Sequence, residues 1–146
     1  MNKKIPFTLK ELESNSFHPI VFGSINGAAM NLIVDTGASR TVIDKSFAKD
    51  IEIINNQNEE PFAAGINAEK MEVQQVKIPV LKLGEIRFNE ITVFTTDLSA
   101  ISELYEQMVG LKIGGLIGCD FLKQHNAVVN FKENIIHIHA TQKNNE

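Results

Sequence analysis

The sequence predicts an all-β domain carrying one or two short helices, and three features carry that prediction. Asn26-Gly27 lies between two apolar runs, the strongest short hairpin signal. The segment IRFNEITVF, residues 86–94, alternates apolar and polar side chains at the period of a strand with one wet face. The best helix candidate, LSAISELYEQMV over 98–109, is short and runs up to Gly110; a mobile loop with one helical turn is the equal alternative.

In chain order, PIVFGSINGAAMNLIV (19–34) forms two strands joined at Asn26-Gly27, and the second leads into Asp35. TVIDKSFAKDI (41–51) holds a short strand over 41–43, then a helical turn or two with Asp44 as N-cap. NNQNEE (55–60) is polar and is expected as a loop. Residues 61–84 read as a long hairpin with its tip near Gly65 and Asn67. Its return strand, with Met71, Val73 and Val76, alternates imperfectly, which is consistent with a bulge there. Gly84-Glu85 turns the chain into 86–94. GLIGCDFLKQ (115–124) is a short buried strand, a glycine and a helix. Residues 127–140 close the domain as a hairpin, and TQKNNE (141–146) is a polar tail.

A chain of 146 residues suits one domain, with a core expected over about 18–140. The net charge of -4 argues against nucleic acid as the main partner. No run of 18 apolar residues exists, so no membrane span is expected. The opening MNKKIPFTLKELESNSF has no apolar segment behind its basic residues, so no signal peptide and a cytoplasmic protein are expected. Cys119 is the sole cysteine, which rules out an internal disulfide and suits a reducing compartment.

The stretch LIVDTGAS (32–39) carries the functional signal. Its aliphatic residues anchor a buried strand, and Gly37 lets the chain turn tightly just beyond Asp35. Asp35 is thereby held rigidly at the floor of something. One buried carboxylate is costly, whereas two that share a proton leave a single charge and split apparent pKa values. One member of such a pair takes a proton from water while the other gives one to a carbonyl, which is general acid–base hydrolysis of an amide.

Residues Val34-Asp35-Thr36-Gly37-Ala38-Ser39, then Thr41-Val42-Ile43, then Gly115-Leu116-Ile117-Gly118-Cys119-Asp120-Phe121-Leu122 resemble the single-lobe, retropepsin-like aspartic proteases, particularly the small bacterial members. The resemblance covers roughly residues 18–139 and implies a closed barrel of the acid-protease type. It makes Asp35 the catalytic aspartate of an aspartic endopeptidase. It assigns Thr36 a hydroxyl-to-backbone brace between two active-site loops, Gly37 the shape of its loop and a carbonyl near a substrate amide, and Gly118 the close crossing of the second loop. Ile33, Val42 and Leu116 would offer aliphatic pockets, Ala38 and Ser39 would border the peptide, and Gly65 with Ile66 would close over it as a flap. A single Asp-Thr-Gly implies a homodimer that places two Asp35 side chains on its two-fold axis, acting on a peptide or protein substrate without metal or organic cofactor. A rate optimum at acid to mildly acid pH follows, because one carboxyl must stay protonated. Retroviral members usually have an acidic residue where Ser39 stands and an arginine where Cys119 stands; that ion pair is missing here.

Other residues have plainer readings. Asp120 is expected to accept backbone hydrogen bonds at the start of the 119–124 helix. Gly110, Gly114, Gly115 and Gly118 do not have the spacing of a phosphate loop and are expected to serve packing. His137 and His139 share one strand face, Ile136 and Ile138 the other, so the histidines are expected towards solvent rather than on a metal. Cys119 is expected as a buried, inert thiol. The alternative function is a peptide-binding module with the same fold and no cleavage.

Overall fold

The computed structural model describes residues 2–49, 51–57 and 73–139. Among these the chain forms β1 (Asn2–Pro6), β2 (Thr8–Glu13), β3 (Ser16–Ile25), β4 (Ala28–Val34), β5 (Val42–Asp44), β6 (Glu52–Gln57), β7 (Val73–Leu83), β8 (Ile86–Thr96), β9 (Ile113–Ile117), β10 (Val128–Asn130) and β11 (Ile135–His139). Helices α1 (Ser99–Val109) and α2 (Cys119–Gln124) flank β9, and a 3-10 turn, Lys45–Phe47, follows β5. The mostly-β fold with two short helices is the one expected.

The large sheet has the order β2-β3-β4-β9-β5-β8-β7-β6. Strand β3 also pairs with β7, at Gly23↔Leu83 through Ile25↔Leu81, and so closes six strands into a ring. Asn26 and Gly27 have φ of 49° and 92°, the two positive values that a type I′ hairpin turn requires. The ring encloses an aliphatic core in which Val21, Leu32, Ile43, Ile78, Leu81, Val93 and Ile117 are at most 1% exposed. Each such side chain contributes about 1.5–3 kcal/mol relative to exposure.

A second sheet of order β1-β11-β10 packs on this ring through Ile5, Ile136 and Ile138. The core therefore starts at Ile5, ahead of the boundary expected near residue 18. Charged residues interrupt the apolar pattern of β1, and its pairing with β11 from Asn2↔His139 to Pro6↔Ile135 supplies what the local sequence does not. The face assignment on β11 holds: Ile136 and Ile138 are buried, and His137 lies half-exposed with Glu133 3.9 Å away.

Three local expectations need correction. Residues 55–57 belong to strand β6, not to a loop, because β7 provides ladder partners and an edge strand tolerates polar residues. The bulge lies in β6, between Ile53 and Asn55, not in the return strand. The wet face of β8 ends at Val93: Phe94, Thr95 and Thr96 are all buried, with Phe94 packed against Val42, Val73 and Leu98. The hairpin tip at Gly65 and Asn67, and Met71, lie outside the described residues.

His125 is buried at 8% exposure between Phe121 and Phe88, with ring centroids 4.4 and 5.0 Å away. Its Nε2 has no hydrogen-bond partner among the described residues. Burial holds its pKa below the ordinary 6.5. The unfolded chain then takes up a proton that the native state refuses. The stability involved is complete above about pH 6.5 and is lost as pH falls from there through the depressed native value. Urea midpoints are expected to drop between pH 7 and 5 more steeply in the wild type than in His125→Leu. Parallel slopes would reject this role for His125.

Candidate active site

Strand β9 runs through the middle of the site, and all five of its residues are buried. On one side it pairs in parallel with β4, and on the other antiparallel with β5. The registers place Ile33 beside Leu116 and Leu116 beside Val42, so three of the aliphatic residues predicted from the sequence form one row across three strands. Neighbours in such a row share a sheet face.

Asp35 follows β4 directly. Its N–H donates to the Ile117 carbonyl at 2.9 Å, tying it to the end of β9. Its Oδ1 accepts the Gly37 N–H at 2.9 Å, and its carbonyl accepts the Ala38 N–H at 3.1 Å. The carboxylate is thus oriented by its own loop while its residue remains half-buried.

A second loop crosses beneath. At Gly118 a Cβ would lie 2.5 Å from the Arg40 carbonyl oxygen and 2.8 Å from that of Ala38, so only glycine permits the approach. Cys119 N–H donates to the Ala38 carbonyl at 2.8 Å. The brace within the chain belongs to Thr41. Its hydroxyl accepts the Gly118 N–H at 3.1 Å and donates to Asp120 Oδ1 at 2.8 Å, while its N–H donates to Asp120 Oδ2 at 3.1 Å. Asp120 Oδ1 also accepts the Phe121 N–H at 2.7 Å, as expected for an acid opening α2. Thr36, to which the sequence resemblance gave a brace, is exposed. The only hint of Thr41 in the sequence is a hydroxyl residue opening β5 beside an acid that opens α2.

Cys119 corrects another expectation. It is exposed rather than buried, because it opens α2 at the loop crossing, and its Sγ donates to the Thr36 carbonyl at 3.1 Å. That bond and the Cys119–Ala38 backbone bond join the two loops where a retroviral ion pair is missing. Ser39 is exposed and Ala38 half-buried.

Asp35 opens onto a cavity of ≈ 600 Å³ whose lining includes Ile33, Thr36, Leu116, His18 and Tyr105. Val42, Ala38, Ser39, Gly37 and Gly118 support this cavity without lining it. Gly65 and Ile66 lie outside the described residues. Helix α1 forms one wall: Ile113 N–H donates to Ser102 Oγ at 3.0 Å, and Ile101 packs against both the Ile33–Leu116 cluster and the Val42–Phe94 cluster. Tyr105 and His18 were not singled out in the sequence, although Ile101, Tyr105 and Val109 repeat at helical spacing.

A larger depression of ≈ 1020 Å³ lies away from Asp35, between the 3-10 turn and α1. Of the carboxylates that line it, Asp44 and Asp97 are committed to structure. Asp44 caps the turn at Ser46 N–H and accepts the Leu98 N–H at 2.7 Å. Asp97 accepts from Ser99, which holds its pKa below the usual carboxylate value.

A family model described as "gag-polyprotein putative aspartyl protease" matches residues 21–124, the span that contains both loops of this site. The chain belongs to the retropepsin-like aspartyl protease family. This retropepsin-like chain is similar to the retroviral protease-like domain of Ddi1 from Leishmania major, with a TM-score of 0.58 and 16% identity over 84% of this chain and 88% of that one. It is also similar to a retropepsin-like aspartic protease from Rickettsia conorii, with a TM-score of 0.52 and 13% identity over 94% and 90% of the two chains. At these identities the likeness establishes the retropepsin-like fold. No curated protein matches the chain significantly.

Proposed function

We propose that this protein is an aspartic endopeptidase that hydrolyses peptide bonds with a water activated between the Asp35 carboxylates of two copies. One observation carries the reading. Asp35 is the sole carboxylate lining its cavity among the described residues, while Asp120 is occupied by Thr41 and Phe121. With no second acid in the cavity among the described residues, another copy of the chain is the natural source of one. Exposed Phe17, Leu104 and Phe131 border the same cavity, and β10, with Val128 exposed, is an edge of its sheet among the described residues. These apolar features suit a second copy placed by a two-fold axis near Asp35.

In the assembled site the ionised Asp35 takes a proton from water, and the protonated Asp35 of the partner subunit gives its proton to the scissile carbonyl oxygen. The hydroxide left from water attacks the carbonyl carbon and gives a gem-diol. The Asp35 that took the water proton then gives it to the amide nitrogen while the partner subunit's Asp35 takes back a proton from one hydroxyl, and the C–N bond breaks to leave a carboxylic acid and an amine. Gly37 N–H keeps one carboxylate oxygen oriented throughout. The exposed Thr36 hydroxyl braces the loop of the other copy. The peptide lies extended against the first loop at Gly37, Ala38 and Ser39, with apolar side chains towards Ile33, Leu116 and Val42, and the segment holding Gly65 and Ile66 closes over it.

The test is cleavage of a peptide library over a range of protein concentrations, with mass measured by sedimentation. Rates are expected to rise with the square of concentration while monomer predominates and linearly once dimer does. Full activity from a monomer would reject the shared site. A dimer that binds peptides and cuts none would leave the peptide-binding module as the function.

A further inference from the structure

Tyr105 is the only tyrosine of the chain, and it is 6% exposed. Its ring packs with Ile20, Ile33, Ile113 and Leu116, in the wall of the cavity that holds Asp35. Its hydroxyl lies 3.0 Å from His18 Nδ1, and the rings meet edge to face with centroids 5.6 Å apart. His18 Nε2 in turn lies 3.3 Å from Ser16 Oγ. A chain of three polar groups therefore enters from the start of β3 and ends on a phenol beside Asp35.

Burial, and then the charge of Asp35, push the phenol above its ordinary pKa of 10.0, so it stays neutral and keeps its proton. A phenol hydroxyl donates one hydrogen bond and accepts others, and His18 uses only one of these sites. If Nδ1 of His18 accepts, the phenol oxygen is left to accept from a ligand. If Nδ1 carries the proton, the phenol O–H is left to donate. A carboxamide satisfies both cases, because it has a donor and an acceptor at its tip. The surrounding wall, with Ile33, Leu104 and Leu116, favours an apolar stem below that tip. A purely aliphatic side chain would fill the same space and leave unused the hydrogen-bonding site of the hydroxyl that His18 does not occupy.

We propose that Tyr105, positioned by His18, determines specificity in this cleft: its hydroxyl bonds the tip of a substrate side chain that has an apolar stem and a carboxamide end, of which glutamine is the model. The inference rests on reading the Asp35 cavity as the peptide cleft.

Paired peptide sets that place glutamine or the nearly isosteric methionine at each position around the cleaved bond test it. At one position kcat/KM is expected to favour glutamine about tenfold, and Tyr105→Phe, which keeps the ring, to bring that ratio near one. His18→Leu, which removes the support but not the hydroxyl, is expected to shrink the ratio by a smaller factor. Because the readout is a ratio within one protein, a general loss of stability does not imitate it. Affinities of the Asp35→Asn protein for the same peptides, with and without Tyr105→Phe, read the selectivity without turnover. A glutamine preference there, alongside a wild type that cuts nothing, would sink the proteolysis and uphold this inference. Equal handling of glutamine and methionine by the wild type, or a preference that survives Tyr105→Phe, would overturn it.

Discussion

An Asp35→Asn protein is expected to fold as the wild type does and to lose peptide cleavage by at least about 10²–10⁴-fold, the usual contribution of a general acid–base group. The exchange preserves shape and leaves a carbonyl oxygen to accept the Gly37 N–H, so the loop should persist. It removes the group that takes a proton from water and the group that returns one. If each copy supplies one acid, replacing half of the wild type by the variant at constant total protein should leave about a quarter of the dimers with both aspartates. Activity should fall accordingly, with no change in total dimer. Unaltered cleavage by the purified variant would refute Asp35 as the catalytic acid. The pH profile carries a second constraint. A shared proton favours turnover in mild acid, while His125 withdraws stability as pH falls below about 6.5. The observed acid limb should therefore contain unfolding as well as chemistry, and His125→Leu should separate them.

Asp120→Ala is expected to destabilise the fold by about 2–4 kcal/mol and to depress cleavage with it. Three donors lose their acceptor: the Thr41 N–H, the Thr41 hydroxyl and the Phe121 N–H. Thr41 also accepts from Gly118, so the loss frees the second loop from the first. Asp120→Asn keeps one oxygen and should recover part of the stability. Urea unfolding reads the difference directly. A midpoint unchanged in Asp120→Ala would mean that the carboxylate is a solvated surface charge and that the brace contributes nothing.

The legible parts of the sequence were those set by short-range chemistry. Asn26-Gly27 needs positive φ at both residues, and few alternatives to a tight hairpin meet that need. The Gly110 end of α1, the cap at Asp44 and the glycine crossing at Gly118 are likewise local demands, visible in a few residues. The row Ile33–Leu116–Val42 was legible because two motifs identified it together. What was missed depends on distant pairing. Strands β1 and β6 carry charged or polar residues and exist because β11 and β7 offer them ladders. Thr41 acquires its role from an acid 79 positions away, and Tyr105 from a histidine 87 positions away. Cys119 was misjudged because a residue beside a buried glycine can still stand at a helix entrance open to solvent.

The pairing of β1 with β11 in the same chain bears on how two copies would assemble under the proposed function. The β1–β11 ladder forms within one chain, so on the proposed two-copy reading it need not be exchanged when two molecules meet or withdrawn when they separate. Encounter and release can then proceed between finished bodies, at rates set by diffusion and surface contact rather than by refolding. On the proposed two-copy reading, protein concentration would then set cleavage, and dilution would silence it without damage to the chains.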